Sequence, residues 1–442
     1  MKKAILEIGK CVAVWVVTLA VLVGLMVLSA CIPNELIKDN LVESSMELMQ
    51  ADPKPTINPT AYHSLQDNYA DAILLGVISC VYSAEPFTSA INTGYFDGGE
   101  NGEAYGLYAT ALGVMPNTDY TRYWHGSMTV IRPLLTFTDL GGIKVISAVV
   151  MLILLGMSGF MLIRRKNTVC FILLLVSLIL VQVFFVPFSL EFIIAFMVTL
   201  LLLPLYIRFS KSDNMVLLFS VIGGTLIAFT DFLTTETITL LIPLIVVLFT
   251  RVRENEQYSF KNGLSLCVKS GIGWILAYAA TFITKWVLAT AVTGVDKFSL
   301  ALSSFFERTN GSVDEFENPF EQVFSALFSN FSMLFPTPEK ISPAAVVFSI
   351  LIYILLPLVL VILMNRKKKI NISALFVILA FIPLLRFMVL SNHSYLHNFF
   401  TYRAFSATIF AMLSAVWVSV DKKSLWFSKQ PEPVRKKKGG RK

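Results

Sequence analysis

The sequence has little charge for its length, and this shortage excludes an ordinary soluble protein. Only 15% of its 442 residues are charged, and its mean hydropathy is +0.70. A soluble chain carries about 25% charged residues. Apolar runs of about 20 residues, long enough to cross a bilayer as a helix, recur along the chain. We therefore expect an all-α polytopic membrane protein.

Metal-binding and redox patterns are also scarce. The five cysteines are scattered and no C-x-x-C pair occurs, so neither a zinc knuckle nor a redox motif is indicated. No H-E-x-x-H motif and no internal repeat is present. The net charge is +7, but the basic residues cluster beside apolar runs. That arrangement encodes membrane topology and does not indicate nucleic-acid binding.

Ten apolar runs are candidate spans. They cover residues 11–31, 143–163, 168–187, 189–207, 214–231, 236–250, 266–292, 344–364, 371–390 and 401–420. If the N-terminal lysines are cytoplasmic, alternation of ten helices puts every basic cluster on the same side, as the positive-inside rule requires. We therefore expect about ten transmembrane helices, with both termini cytoplasmic, in a cell membrane, and specifically a bacterial plasma membrane.

The segments between spans are unequal. Residues 1–422 are expected to form one membrane-embedded domain, followed by a basic cytoplasmic tail at 423–442. Two outer loops, 32–142 and 293–343, are far longer than ordinary connections. They contain aromatic amphipathic stretches such as "TRYWHGSMTVIRPLLTF", which suit helices lying at the membrane interface.

The end of the first span matches a bacterial lipoprotein cleavage box, "LSAC" at residues 28–31. Cleavage there would remove the first helix and leave Cys31 to be lipidated. The apolar segment before the box is longer than the core of a signal peptide. We therefore expect the helix to be retained.

Two aspartates four residues apart stand in "DNYADAILL", early in the first outer loop. Asp67 and Asp71 lie on one face if this segment is helical. Asp67 suits a helix N-cap and Asp71 a first turn, so both roles could be structural. Alternatively, one carboxylate takes a proton from an attacking hydroxyl, or the two hold a divalent cation such as Mg²⁺ or Mn²⁺.

Further ionisable residues gather at the outer ends of the spans and in the outer loops. A charge at the centre of a membrane helix costs about 2.5–3.5 kcal/mol, so each needs a partner or an aqueous cavity. The candidates for binding a phosphate group are Arg122, His125, Arg132, Lys285, Arg386, His393, His397 and Arg403. The further acids expected in the same cavity are Glu191, Asp231 and Glu236. Snorkelling to the interface or capping of a turn is the structural alternative for these residues.

The two sets of residues suit one class of substrate. Carboxylates activate a hydroxyl, whereas arginine, lysine and histidine stabilise a departing phosphate. A lipid-linked phosphate sugar at the membrane surface, with a hydroxyl acceptor outside, would use both sets.

The layout resembles the GT-C superfamily of integral membrane glycosyltransferases. The resemblance is carried by the first helix with its long outer loop containing "DNYADAILL", by "RYWHGSMTVIRPLL" and by the late outer "NHSYLHNFFTYR". It implies a GT-C-like fold, a polyprenyl-phosphate-linked sugar donor, a cell-envelope glycan or lipid acceptor, and transfer with inversion. An acid early in the first outer loop is the general base in that superfamily. This role would fall on Asp71, which we favour, or on Asp67.

In the same superfamily, cations of the later outer loops bind the phosphate, and they correspond here to Arg386, His393, His397 and Arg403. No adjacent acidic pair is present in the first outer loop as it is in some members, which leaves dependence on a metal open. A cell-surface polysaccharide polymerase or ligase, a transporter or lipid flippase, and a noncatalytic accessory subunit remain alternatives. A transporter would show charges near the midplane and repeated or broken helices.

Overall fold

The protein is described from a computed structural model, which covers residues 2–255, 257–311, 313, 315–316, 318–364 and 370–420. The predicted tail at 423–442 and the basic cluster at 366–369 lie outside these residues. The first half of the chain forms α1 (Lys2–Ala30), α2 (Lys38–Gln50), α3 (Asn68–Ser79), α4 (Pro86–Ile91), β1 (Gly94–Tyr95), α5 (Gly102–Ala111), β2 (Thr118–Asp119), α6 (Met128–Leu134), α7 (Leu140–Arg164), α8 (Thr168–Leu180) and α9 (Leu190–Arg208).

All the regular secondary structure in the described residues of the second half is helical. It forms α10 (Asp213–Thr230), α11 (Ile238–Glu254), α12 (Phe260–Thr293), α13 (Lys297–Asn310), α14 (Pro319–Ser332), α15 (Pro343–Ile350), α16 (Leu356–Met364), α17 (Ile370–Val389), α18 (Ser391–Leu396), α19 (Asn398–Thr401) and α20 (Phe405–Ser419). A π-helical turn joins α15 to α16, and a 3₁₀ turn joins α19 to α20. The two strands form a minimal antiparallel hairpin.

Eight helical segments of the described chain are long and apolar enough to cross a membrane. They are Ile5–Ala30, Leu140–Arg164, Leu190–Arg208, Asp213–Thr230, Phe260–Thr293, Pro343–Met364, Ile372–Val389 and Asn398–Ser419. The expectation of an all-α, multi-pass membrane protein is therefore confirmed.

Two of the ten expected spans are not among these eight segments. The run at 168–187 becomes a helix of 13 residues, α8, which ends at Leu180. Gln182 follows in the left-handed region, with φ of 50°, and a 3₁₀ turn containing Pro187 completes the run. Helix α11 has 17 residues. The exact count of ten spans therefore stays a prediction.

The helices divide into buried and lipid-facing ones. Most of the α11 side chains are buried, as expected of a helix that is apolar on all sides. In contrast, the most apolar windows of α1 and α7 are only 11% and 22% buried. Helices α10 and α12 pack closely at Gly224, where an added Cβ would lie 2.3 Å from the Trp274 carbonyl oxygen. Small residues allow such close approach between membrane helices.

The ends of the helices define two opposite faces. We call the loop face the one that carries the described residues of 31–139, 181–189, 231–237, 294–342 and 390–397. Hydrogen bonds join these segments to one another, for example from the Tyr62 N–H to the Thr337 carbonyl at 2.8 Å. The two long loops are therefore on one side of the helices.

The other face gathers the described basic clusters. Arg165 donates to the Ser210 hydroxyl at 2.8 Å, and Arg251 donates to the Ser210 carbonyl at 2.6 Å. Lys211 pairs with Glu254 at 3.0 Å. Three basic clusters that the positive-inside rule places on one side thus lie together. The assignment of that side to the cytoplasm stays a prediction.

Candidate functional site

A cavity of about 110 Å³ at the loop face brings acidic, basic and aromatic side chains together. We call it the polar cavity. Its charged and histidine lining residues are Lys54, Asp67, Glu191, Arg308, His393 and His397. Its other lining residues are Tyr69, Ala70, Ile73, Leu74, Tyr120, Tyr123 and Phe232. Four of the residues expected from the sequence therefore share one cavity with two cations that the sequence did not single out.

Asp67 faces the polar cavity and also caps α3. Its Oδ1 accepts from the Ala70 N–H at 2.9 Å, which satisfies one of the free donors of the first turn. Its own N–H donates to the Ser189 hydroxyl at 2.8 Å. Burial raises the pKa of Asp67 to about 6. A carboxyl group with this pKa is ionised at neutral pH and still basic enough to accept a proton.

Asp71 lies on the same helix but does not line the polar cavity. It is fully buried and forms an ion pair with Lys144 of α7 at 2.7 Å. Its Oδ1 also accepts from the Leu190 N–H at 2.8 Å, so Asp71 caps α9 from a different helix. Burial raises the pKa of Asp71 and Lys144 opposes the shift; the short contact favours the carboxylate. The geometry thus favours a structural role for Asp71.

Glu191 is the second carboxylate on the polar cavity. It stands in the first turn of α9, one residue after the Leu190 N–H that Asp71 caps. Among the described residues, none forms an ion pair or a hydrogen bond with the Glu191 carboxylate. This acid is therefore left to interact with whatever enters the cavity.

Arg308 supplies the guanidinium group of the polar cavity. It lies in the last turn of α13 and is partly exposed. Its Nη1 donates to Nδ1 of His393 at 2.9 Å. No carboxylate in the described chain lies within ion-pair distance of Arg308. Its positive charge is therefore available to an anionic ligand.

The two histidines of this region stack on each other beside Arg308. The ring centroids of His393 and His397 are 4.6 Å apart. Burial lowers the pKa of His397 to about 3 and lowers that of His393 well below its usual value. Both rings are therefore neutral at physiological pH and act as hydrogen-bonding groups and not as charges.

Arg386 lies behind the polar cavity and does not line it. Its Nε donates to Glu236 at 3.0 Å, and the pair is almost fully buried. It also contacts the Leu233 carbonyl and the Ser394 hydroxyl. Asp231 belongs to the same turn, where its carboxylate accepts from the backbone and hydroxyl of Thr234. Burial raises the pKa of Asp231 to about 7.

Two further expected phosphate ligands are buried and bound to backbone carbonyls. Lys285 donates to the Ile91 carbonyl at the end of α4 at 2.6 Å. Arg132 donates to the carbonyls of Ile78 and Ile32 at 2.7 and 2.5 Å. These cations neutralise the negative ends of helices, and the structure places neither on the polar cavity.

Arg403 and His125 are likewise held away from the polar cavity. Arg403 donates to the Phe399 carbonyl at 3.1 Å and packs over the Phe192 ring. His125 contacts the Tyr120 carbonyl through Nε2 at 2.8 Å, and burial lowers its pKa to about 3.

An apolar groove of about 360 Å³ adjoins the polar cavity, between α12 and α13. Its walls are formed mainly by Ile275, Tyr278, Phe282, Ile283, Trp286, Leu302 and Phe305. Arg122, Tyr123 and Arg308 also line it, and the last two are shared with the polar cavity. The buried Nε of Arg122 has no hydrogen-bond partner among the described residues. The groove therefore ends at two guanidinium groups.

The described residues offer no metal centre. No group of three histidine, cysteine, aspartate or glutamate side chains in the described chain is arranged to hold an ion. The expected pair for a divalent cation is divided, because Asp71 is occupied by Lys144 whereas Asp67 faces the cavity.

Sequence reasoning missed Arg308 and Lys54, which are the cations on the polar cavity. Arg308 follows Glu307 in "FFERTN", where a charged pair on an amphipathic helix suggests a solvated face.

Comparison with protein-family models, with curated proteins and with solved structures finds no match for this chain. Its function must therefore be argued from the geometry of the polar cavity and the groove.

Proposed function

We propose that this protein is a membrane glycosyltransferase that moves a sugar from a polyprenyl-phosphate donor to a hydroxyl acceptor at the loop face. We assign that face to the outer side of a bacterial plasma membrane. A single observation carries the proposal. An apolar groove runs to two guanidinium groups, and a carboxylate-lined cavity lies immediately beyond them. The donor has its parts in the same order: the lipid chain matches the groove, the phosphate matches the guanidinium groups, and the sugar matches the cavity.

The groove suits the lipid part of the donor because its polyprenyl chain needs apolar walls. Helix α12 supplies one wall, and its most apolar window is only 28% buried. The groove is therefore within reach of lipids in the bilayer. Arg308 and Arg122 at its end suit the phosphate, since guanidinium groups bind phosphate oxygens through paired hydrogen bonds. Donor binding thus requires no cation from the buried set behind the cavity.

The polar cavity suits the transfer step. Asp67 takes the proton of the acceptor hydroxyl, and the acceptor oxygen attacks the anomeric carbon of the sugar. The bond between that carbon and the phosphate oxygen breaks, and the phosphate leaves with the electron pair. Arg308 and Arg122 stabilise its charge. Attack from the face opposite to the phosphate inverts the anomeric configuration.

The aromatic lining supports a sugar in this cavity. The rings of Tyr123 and Phe232 meet edge to face at 5.4 Å, and Tyr120 packs against Tyr123 at 5.7 Å. Tyrosine combines an apolar ring with a hydroxyl group, which matches the mixed surface of a sugar. The acceptor is proposed to be a cell-envelope glycan or lipid.

The test measures sugar transfer from a synthetic polyprenyl-phosphate sugar by purified protein in detergent. Asp67→Asn should lower the rate by about 10²–10⁴, the usual contribution of a general base. Its unfolding temperature should not fall, because asparagine caps a helix about as well as aspartate and places no charge in the buried site. Asp39→Asn, at an exposed acid of α2, is the matched control.

Glu191→Gln separates the two carboxylates of the cavity. A general base at Asp67 predicts a smaller loss for Glu191→Gln than for Asp67→Asn, and the reverse order would move the role to Glu191. If both variants transfer sugar at the wild-type rate, the proposed reaction is wrong. Activity only with a diphosphate-linked donor would instead identify a polymerase or ligase.

A further inference from the structure

A continuous chain of contacts runs from a buried ion pair to Arg308, one of the two cations of the polar cavity. Glu236 binds Arg386, and a terminal nitrogen of Arg386 donates to the Leu233 carbonyl. Nε2 of His393 contacts that same carbonyl at 2.9 Å. Nδ1 of His393 contacts Arg308 at 2.9 Å. Five residues from α13, α17, α18 and the turn before α11 are thus connected.

The partners of His393 determine which of its nitrogens carries the proton. A carbonyl oxygen only accepts, so Nε2 must hold hydrogen to bond with Leu233. A guanidinium only donates, so Nδ1 must present a lone pair to Arg308. One neutral form of the ring satisfies both contacts. The opposite tautomer, or the charged ring, would point an N–H at the Arg308 guanidinium.

The Leu233 carbonyl is aimed by a turn with an unusual backbone. Leu233 has φ of 68°, which leucine rarely adopts. Such a conformation persists only where surrounding contacts hold it. Here the carbonyls of Leu233 and Thr234 both accept from Arg386, and Glu236 anchors that side chain from the same turn. Arg386 therefore braces the turn that orients His393.

Arg308 depends on this arrangement because its helix offers little support. Most side chains of α13 are exposed or only partly buried. The bond to His393 is the sole hydrogen bond that the described residues give the Arg308 guanidinium. Without it, the long side chain would be free to swing away from the shared wall of the cavity and the groove.

We infer that His393 is a positioning residue, which holds Arg308 at the donor phosphate, and that the Glu236–Arg386 pair keeps His393 in the tautomer this requires. The inference rests on the proposed function for the identity of the phosphate group. It assigns Arg386 and His393 a role through Arg308 and not in direct contact with the donor.

The first test is a binding measurement with decyl phosphate on the full chain in detergent. His393→Leu and Arg308→Gln should each weaken binding about tenfold, the scale of one charge-assisted hydrogen bond. The double variant should bind no more weakly than Arg308→Gln alone, because His393 acts through Arg308. His393→Asn, which keeps an acceptor near the Nδ1 position, should recover most of the affinity.

Additive losses in the double variant, or equal losses for His393→Asn and His393→Leu, would overturn the inference. A purely structural role for His393 predicts additivity, since a loosened loop would weaken binding with or without Arg308. Unfolding temperatures of all four variants are measured in parallel, and each comparison uses variants that retain the wild-type value.

The second test does not depend on the ligand. Nitrogen NMR of ¹⁵N-histidine-labelled protein distinguishes the two neutral tautomers, and His393→Asn identifies the signal. At neutral pH the His393 ring should carry its proton on Nε2, and Arg386→Lys should convert it to a mixture of forms. A ring protonated on Nδ1 in the wild type would refute the inference. Failure of the wild type to bind decyl phosphate, with the tautomer as expected, would instead reject the proposed donor.

Discussion

Replacement of Asp71 by asparagine should destabilise the protein, in contrast to the same change at Asp67. Asp71 is fully buried, and its carboxylate pairs with Lys144 at 2.7 Å. Removal of one partner from a buried ion pair costs about 3–5 kcal/mol, because the other charge is left without compensation. The Lys144 side chain is 18% exposed, so its ammonium group can regain some hydration. We therefore expect a loss of about 2–3 kcal/mol.

The second contact of Asp71 should survive the change. An asparagine side chain still offers an oxygen to the Leu190 N–H, which donates to the wild-type carboxylate at 2.8 Å. The predicted loss therefore reports the Lys144 pair and not the cap of α9. Asp67→Asn is the matched control on the same helix, and it should not lower the unfolding free energy, since asparagine keeps the cap and removes a buried charge.

A double-mutant cycle in denaturant or thermal unfolding isolates the pair. Lys144→Met alone should also destabilise, since it leaves the Asp71 carboxylate buried and unpaired. Asp71→Asn with Lys144→Met should be more stable than the sum of the two single changes by at least about 1 kcal/mol. Additive single losses, or an Asp71→Asn protein as stable as Asp67→Asn, would refute the structural role. Loss of transfer in a fully stable Asp71→Asn protein would return the general base to Asp71.

Three further predictions follow from single contacts. Sugar transfer should decline as pH falls through about 6. Burial raises the pKa of Asp67 to about 6, and only the ionised carboxylate can take up a proton. A kcat/KM profile that is flat down to about pH 5 would contradict this. Arg132→Met should lower the unfolding free energy by at least about 3 kcal/mol in thermal unfolding, because it leaves the carbonyls of Ile78 and Ile32 without their donors. Gly224→Ala should destabilise by about 1–3 kcal/mol, since its Cβ would lie 2.3 Å from the Trp274 carbonyl oxygen. Gly271→Ala, whose Cβ meets nothing within 4 Å, should unfold no more easily than the wild type.

Protonation of Asp67 should change protein stability and sugar transfer in opposite directions. Its folded-state pKa is about 6 and its ordinary value is 3.8, so the folded chain binds the proton more tightly than the unfolded chain. Stability should therefore rise as pH falls from about 6 toward about 4, whereas transfer falls over the same range. A shared decline of both would indicate acid unfolding and not titration of a base.

The membrane architecture could be predicted from the sequence because hydropathy and charge are local signals. Apolar runs long enough to span a bilayer predict the helices, and basic clusters at alternate connections indicate which helix ends lie on the same side. Hydropathy alone does not show where a local turn ends a helix within an apolar run. Gln182 adopts a left-handed conformation within the run at 168–187, and no periodicity or hydropathy signal marks it.

The orientation of α3 could not be predicted, since distant contacts determine it. Asp67 and Asp71 are separated by one helical turn and are equivalent by spacing. Their difference arises from Lys144 of α7 and Leu190 of α9, which approach only one of them. No local pattern states which face of a short helix meets which neighbour. Our proposal of Asp67 and not Asp71 as the general base therefore depends on the tertiary structure.

The buried cations of this protein differ in their partners from Arg308, the cation that we propose to bind a ligand. A charge withdrawn from water must be compensated by the protein itself. Lys285, Arg132 and Arg403 are compensated by backbone carbonyls and Arg386 by Glu236. Arg308 is partly exposed and has no carboxylate partner among the described residues, as expected of a cation whose counter-charge arrives with a ligand. Lys285, Arg386 and Arg403 were conspicuous in the sequence because they lie in or beside apolar runs, whereas Arg308, which we propose to bind the ligand, lies on an amphipathic helix that hydropathy gave no cause to notice.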